Sequence, residues 1–242
     1  MLILFFGFSP KRKTKIPPGT VRITESLYFD VTEVTNFSWQ EYVFSMKLKY
    51  GAGSAEHLSS LPDTTVWLKG PDSQAEFVSG YFRGLKYRNH PVVGVSYEQV
   101  QAFCKWRTAM VKLIYSSANK SDFPIEYRLP TKEEWEMVAY SESWRISDFK
   151  KAKPNVCNLK TDPHEKQIVV SGPVAVNSFN KGPFGMYHLI GNVSEMLDEK
   201  NTAKGGSWEH SPEESRVGKA QWYAEPNKWL GFRCVCVITS PK

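Results

Sequence analysis

Three helix starts of one kind, all before residue 145, restrict the fold of this chain more than any other feature. Ser38 with Glu41, Ser96 with Gln99 and Thr131 with Glu134 each place a hydroxyl three positions ahead of a glutamate or glutamine. At that spacing the two side chains satisfy each other's helix-end amides. Behind the first start, Trp39, Tyr42, Val43 and Met46 recur at helical spacing; behind the second, Val100, Phe103, Cys104, Arg107, Met110, Val111 and Ile114 mark one face; behind the third come Trp135, Val138 and Ala139. "LYFDVTEVTN", residues 27–36, is rich in β-branched and aromatic residues and predicts a strand ahead of the first helix. Residues 51 to 90 keep no clean period, with short elements expected only near "TTVWL". From residue 150 onward frequent turns predict loops and small strands. The pattern implies an α+β domain with little regular structure in its second half, and no repeat, low-complexity block or linker divides it.

Composition adds limits rather than a function. With 242 residues and 41% apolar side chains the chain can bury a core unaided. Its 31 basic against 25 acidic residues give a charge of +6, spread along the sequence without a basic stripe interleaved with aromatics, which argues against nucleic acid as a partner. The four cysteines, Cys104, Cys157, Cys234 and Cys236, form no CxxC pair, so a zinc knuckle is not indicated; a long-range disulfide or buried thiols both fit. The opening "MLILFFGFSPKRKTKIPPGT" sets a short apolar run before a basic cluster, the reverse of a secretory leader. Residues 1–16 therefore read as a tail outside the domain at 17–242, with three readings open: a signal remnant, a membrane-surface anchor or a first strand.

Four stretches in a fixed order, "PVVGVSYEQVQAFCKW", "YRLPTKEEWEMVAY", "PFGMYHLIGNVSEM" and "KGGSWEH" with "LGFRC", resemble the sulfatase-modifying-factor family, whose founding activity is that of the formylglycine-generating enzyme. The resemblance implies one domain related to the C-type lectin fold. In it Arg128, Leu129 and Pro130 lead into the third helix, and Gly205 and Gly206 allow close backbone approach under the site. It further implies that the family's copper-binding thiols would stand at His210 and Ser215, with a third family cysteine at Ala220. Imidazole and hydroxyl cannot replace a thiolate pair on copper(I), so no catalytic residue is expected there. Neither do the five histidines show the HxxxHxE spacing of the family's iron branch.

The same resemblance pairs Cys104 with Cys234 as a structural disulfide, which would imply an oxidising compartment outside the cytoplasm. It maps one calcium site onto His188, Gly191, Val193 and Glu195, and a second onto Asn158, Leu159 and Asp162. Calcium prefers hard oxygen donors and imidazole is a poor one, so the first set is already incomplete. "PPGTVRI" and "FDVTEVTN" look like family members that are envelope lipoproteins associated with gliding motility and type IX secretion. The expectation is a non-catalytic, extracytoplasmic binding or structural subunit of an outer-membrane complex. It would be membrane-associated through partners or an N-terminal anchor, and would hold a protein, or a glycan, on Trp208, Glu209, His210, Trp222, Tyr223 and Trp229. Two alternatives stand beside it: an enzyme of altered chemistry using His210, Glu209 and Ser215, and a displayed lectin-type binder presenting "AQWYAEPNKW".

Overall fold

The computed structural model describes residues 16–70, 74–119, 124–142, 157–160 and 172–239. Expectations that rest on residues 1–15, and on Asp162, lie outside these. Two short sheets carry the fold. The first has the order β1-β2-β8-β3, all antiparallel, from Thr20–Arg22, Leu27–Asp30, Val235–Ile238 and Ile125–Arg128. The second has the order β6-β5-β4-β7, from Gln221–Trp222, Thr202–Lys204, Ser194–Met196 and Leu230–Gly231, with β4 and β7 parallel.

Alternation along the first sheet sends its side chains into two different cores. Tyr28, Tyr127, Cys234 and Cys236 face one core, where Trp39 and Tyr42 of α1 (Asn36–Tyr50) meet Val100, Phe103, Cys104 and Val111 of α4 (Tyr97–Asn119). Leu27, Phe29 and Val235 face the other, closed by Trp135, Val138 and Ala139 of α5 (Lys132–Glu142). Because residues two apart in a strand share a face, Cys234 and Cys236 lie in the same core. Trp39 stacks on Phe103 at 5.2 Å and Phe232 meets both rings edge-on, an arrangement the ring quadrupoles favour.

Two of the three capping boxes form as expected. Gln99 Oε1 accepts from the Ser96 amide and Ser96 Oγ from that of Gln99; Glu134 and Thr131 do the same. The first box does not. Thr35 caps α1, accepting from the Ser38 amide, so the helix starts three residues earlier than Ser38 would set it. The strand expected over residues 27–36 stops at Asp30, because residues 31–35 turn away and Thr35 bridges to Pro91 instead. Ile114, assigned to the inner face of α4, is 62% exposed, and Val111 and Tyr115 are the residues that keep this part of the helix on the core. The segment between α1 and α4 is not formless: α2 (Ala55–Ser59) lies against α1, while α3 (Ala75–Gly80) and two 3-10 turns at Thr64–Leu68 and Leu85–Tyr87 surround a third cluster of Val66, Trp67, Tyr81 and Val93. Asn36 Nδ2 ties this segment to α1 by donating to the carbonyls of Tyr81 and Tyr87.

Candidate functional site

The second sheet and the loop between β5 and β6 build the site. Lys204, the last residue of β5, is fully buried, and its Nζ donates to the carbonyls of Val217 (2.7 Å) and Lys219 (3.0 Å) while pairing with Glu136 of α5 at 2.5 Å. One cation thus draws the returning limb of the loop onto the sheet and fastens both to a helix. Gln221 completes the clamp: its Oε1 accepts from the Gly206 amide and its Nε2 donates to the Glu214 carbonyl. Gly205 and Gly206, with φ of +91° and +67°, are required here. A Cβ on Gly206 would fall 1.9 Å from Ser215 Oγ.

Beside this frame lies an open cleft of about 310 Å³ lined by His210, Glu213, Glu214 and residues 219–222. His210 Nδ1 lies 2.6 Å from Ser207 Oγ, and its ring stands edge-on to Trp229 at 5.0 Å. Burial lowers the His210 pKa from its ordinary value, against a smaller upward pull from Glu214, so the imidazole tends to neutral. Ser215 is 1% exposed and its hydroxyl donates to the Ser211 carbonyl at 2.8 Å. Glu209 pairs with the buried Lys228 at 3.2 Å. Of the three groups offered as an alternative catalytic set, two are therefore engaged elsewhere, Ser215 in the loop and Glu209 with Lys228, while His210 lines the cleft.

The expected binding surface needs correction on the same geometry. Trp208 is 8% exposed and packs with Val66, Trp67 and Val193, while Tyr223 is 5% exposed in the main core. Trp229 is half-buried against that core. Trp222, 71% exposed, is the large aromatic of that set left to the surface. Ser207, Lys204 and Gln221 were not signalled as site residues. The hydroxyl at i−3 from His210 is the one local cue, as Ser207 Oγ also accepts from the Glu209 amide in a tight turn.

The carboxylate of the first calcium set is already committed to a cation of the protein itself. Glu195 is fully buried and both its oxygens accept from Arg233 Nε at 2.7 and 2.8 Å, with Arg233 Nη2 on Oε1 and Trp135 Nε1 on Oε2. Burial works to lower the Arg233 pKa, but the charge and hydrogen bonds of Glu195 carry it above its ordinary value, so a guanidinium already balances the carboxylate. His188 brings an imidazole, a poor donor for calcium, while Gly191 and Val193 have only main-chain carbonyls to offer. Of the second set, Leu159 contributes an apolar side chain, and the Asn158 Nδ2 donates to Gly172 O and Asn192 Oδ1. Among the described residues no group of three or more histidine, cysteine, aspartate or glutamate side chains could hold a metal ion. Cys104 and Cys234, which the resemblance joins, are here two free buried thiols with Sγ atoms 3.6 Å apart.

The family described as the sulfatase-modifying factor enzyme 1-like domain matches residues 5–238. The chain belongs to this family. As a sulfatase-modifying-factor-like protein it is 27% identical over 238 residues to the inactive C-alpha-formylglycine-generating enzyme 2 of Mus musculus, covering 87% of this chain and 69% of that one. It is 30% identical over 170 residues to the protein of the same description from Bos taurus, covering 60% and 49%. It is also 25% identical over 175 residues to the formylglycine-generating enzyme of Thermomonospora curvata, covering 68% and 51%. The chain thus aligns with about half the length of the latter two. Among solved structures its fold is similar to that of Treponema denticola variable protein 1, at a TM-score of 0.54 and 16% identity over 92% of each chain. It is likewise similar to CarF, at 0.54 and 18% identity over 91% of this chain and 96% of that one.

Proposed function

We propose that this sulfatase-modifying-factor-like protein is a non-catalytic binding module that acts outside the cytoplasm and holds a protein partner within a cell-envelope complex. The observation that carries the reading is the chemistry of the loop after Gly-Gly-Ser-Trp. Its two thiol positions hold a half-buried imidazole and a hydroxyl that donates inward to Ser211, so the loop has no thiolate pair for copper(I). The mouse and bovine relatives described as inactive agree with it. The test is direct: protein loaded with Cu(I) and given a cysteine-containing peptide is expected to consume no oxygen above buffer and to retain no stoichiometric copper. Aldehyde formation on the peptide would sink the reading.

The extracytoplasmic placement rests on Cys104 and Cys234, which are close enough for modest movement to join them across 130 positions of sequence. Such a closure contributes about 4 to 5 kcal/mol in the chain-entropy model. Intact mass of natively expressed, unreduced protein is expected to be two hydrogens lighter than after reduction, with the bridge mapping to these residues. Two alkylatable thiols at Cys104 and Cys234 would remove this support.

A further inference from the structure

We propose that the outer face of α1 is a membrane-docking face: the helix lies flat on an anionic lipid bilayer, with Phe44 and Leu48 in the headgroup boundary and a basic border against the lipid phosphates. This goes beyond the binding-module reading and draws nothing from the cleft. α1 is apolar on two sides. Trp39, Tyr42, Val43 and Met46 face the core, while Phe37, Phe44 and Leu48, at i, i+7 and i+11, form a stripe on the opposite side. Phe44 is 59% and Leu48 70% exposed, and Phe37 is exposed as well. A surface helix of a globular domain carries polar residues on its outer side, so a second apolar stripe marks a face with a partner of its own. The stripe is the crest of a helix rather than a groove, and eleven residues of rise make it about 16 Å long.

Charge selects the partner. Lys47 and Lys49 stand on either side of Leu48 in the sequence, and both are exposed. Beside the N-terminal half of α1 runs the segment RGLKYR, residues 83–88. It is held there by Gln40, whose Nε2 donates to the Phe82 carbonyl, and by the Phe37 amide, which donates to the Arg88 carbonyl. Arg83, Lys86 and Arg88 are all exposed, with no acid among them. The Arg88 guanidinium lies over the Phe37 ring, 4.3 Å from its centre, and so carries its charge at the level of the stripe. Long basic side chains beside aromatic and leucine residues are the composition of helices that lie in a membrane interface. Among the described residues none of these five cations has a carboxylate partner. Glu41, the one acid of α1, lies on the α4 side, where it lines a cavity with Ser38 and Trp106. A second copy of this face would bring like charges together across a two-fold axis, which costs affinity. An anionic bilayer supplies both an apolar boundary for the stripe and counter-charge for its border.

The full chain is mixed with vesicles of phosphatidylcholine, with or without phosphatidylglycerol, and bound protein is separated by flotation. Binding is expected to the anionic vesicles, and should fall as salt is raised. Phe44→Gln with Leu48→Gln keeps good helix formers at two exposed positions and is expected to weaken partition by about tenfold or more. Lys47→Gln with Lys49→Gln is expected to weaken it about fivefold for each charge removed. Urea midpoints of both variants should match the parent's, which separates lost binding from lost folding. A parent that does not float with anionic vesicles overturns the proposal. So does flotation that both variants retain, which would place the contact elsewhere in the chain, residues 1–15 included. Dimerisation that Phe44→Gln with Leu48→Gln abolishes, in a parent that does not float, would assign the face to a second copy instead. Every one of these results leaves the binding-module reading standing, because none of the substituted residues lines the cleft.

Discussion

Replacing Arg233 by methionine is expected to cost about 3 to 5 kcal/mol of folding stability, because it strands the charge of Glu195 where no water reaches it. Both side chains are fully buried, and Arg233 also donates to the carbonyls of Asp30 and Tyr187, so one guanidinium joins β2, β4 and the loop before β4. The loss is read from urea unfolding, as a shifted midpoint with an unchanged slope. A second variant tests the cause. Arg233→Met with Glu195→Gln leaves neither member of the pair charged and keeps an amide oxygen for the indole of Trp135, so much of the loss should return. A single variant that costs less than about 1 kcal/mol, or a double variant no better than the single, would contradict the account.

Between pH 4.5 and pH 6.5 two buried groups, Glu33 and His188, are expected to pull the stability of the protein in opposite directions. Burial pushes the Glu33 carboxyl from 4.5 up to about 7, against the charge of Arg233 and the hydrogen bond from Asn192. Its contribution is present below pH 4.5 and is lost as pH rises through 7. Burial, aided by Arg233, pushes the His188 imidazole from 6.5 down to about 4, so its contribution is present above pH 6.5 and is lost as pH falls toward 4. Each is worth about 3 kcal/mol across its window. Glu33→Gln should therefore make the protein more stable above pH 7 and expose a decline below pH 6.5. His188→Asn, which suits the left-handed φ of 49° at this position, should leave stability falling as pH rises from 4.5 to 7. Urea midpoints measured across this range decide it; variant curves that run parallel to the parent's would refute the pairing of the two groups.

Both predictions turn on partnerships that the sequence left unmarked, although His188 and Glu195 themselves stood in the expected calcium set. The capping boxes at Ser96 and Thr131 were legible because partners three residues apart need nothing from the rest of the chain. The box at Ser38 failed through the same local chemistry: Thr35, one turn earlier, competed for the cap and won. The strand ending at Asp30 rather than at residue 36 shows where locality runs out, since Thr35 and Asn36 take their partners from residues 81–91. Glu195 and Arg233 lie 38 positions apart, and Glu33 and Asn192 159 apart, so no spacing rule could join them. The family resemblance did locate the loop and the exchanged thiol positions. It could not say that Ser215 points inward, or that Trp208 and Tyr223 serve the core. For Tyr223 a signal existed: alternation along residues 221–224 already places Trp222 and Tyr223 on opposite sides.

The strand order of the first sheet also has a bearing on how the chain is made. β8, near the carboxyl end, sits between β2 and β3, and its side chains enter both cores. As the polypeptide leaves the ribosome, β2 and β3 must wait more than 100 residues for the strand that separates them, each with an unfilled ladder edge. Closure of this sheet is therefore a long-range event that cannot be completed before residues 235–238 emerge, and until then β2 and β3 each keep one edge unpaired by β8.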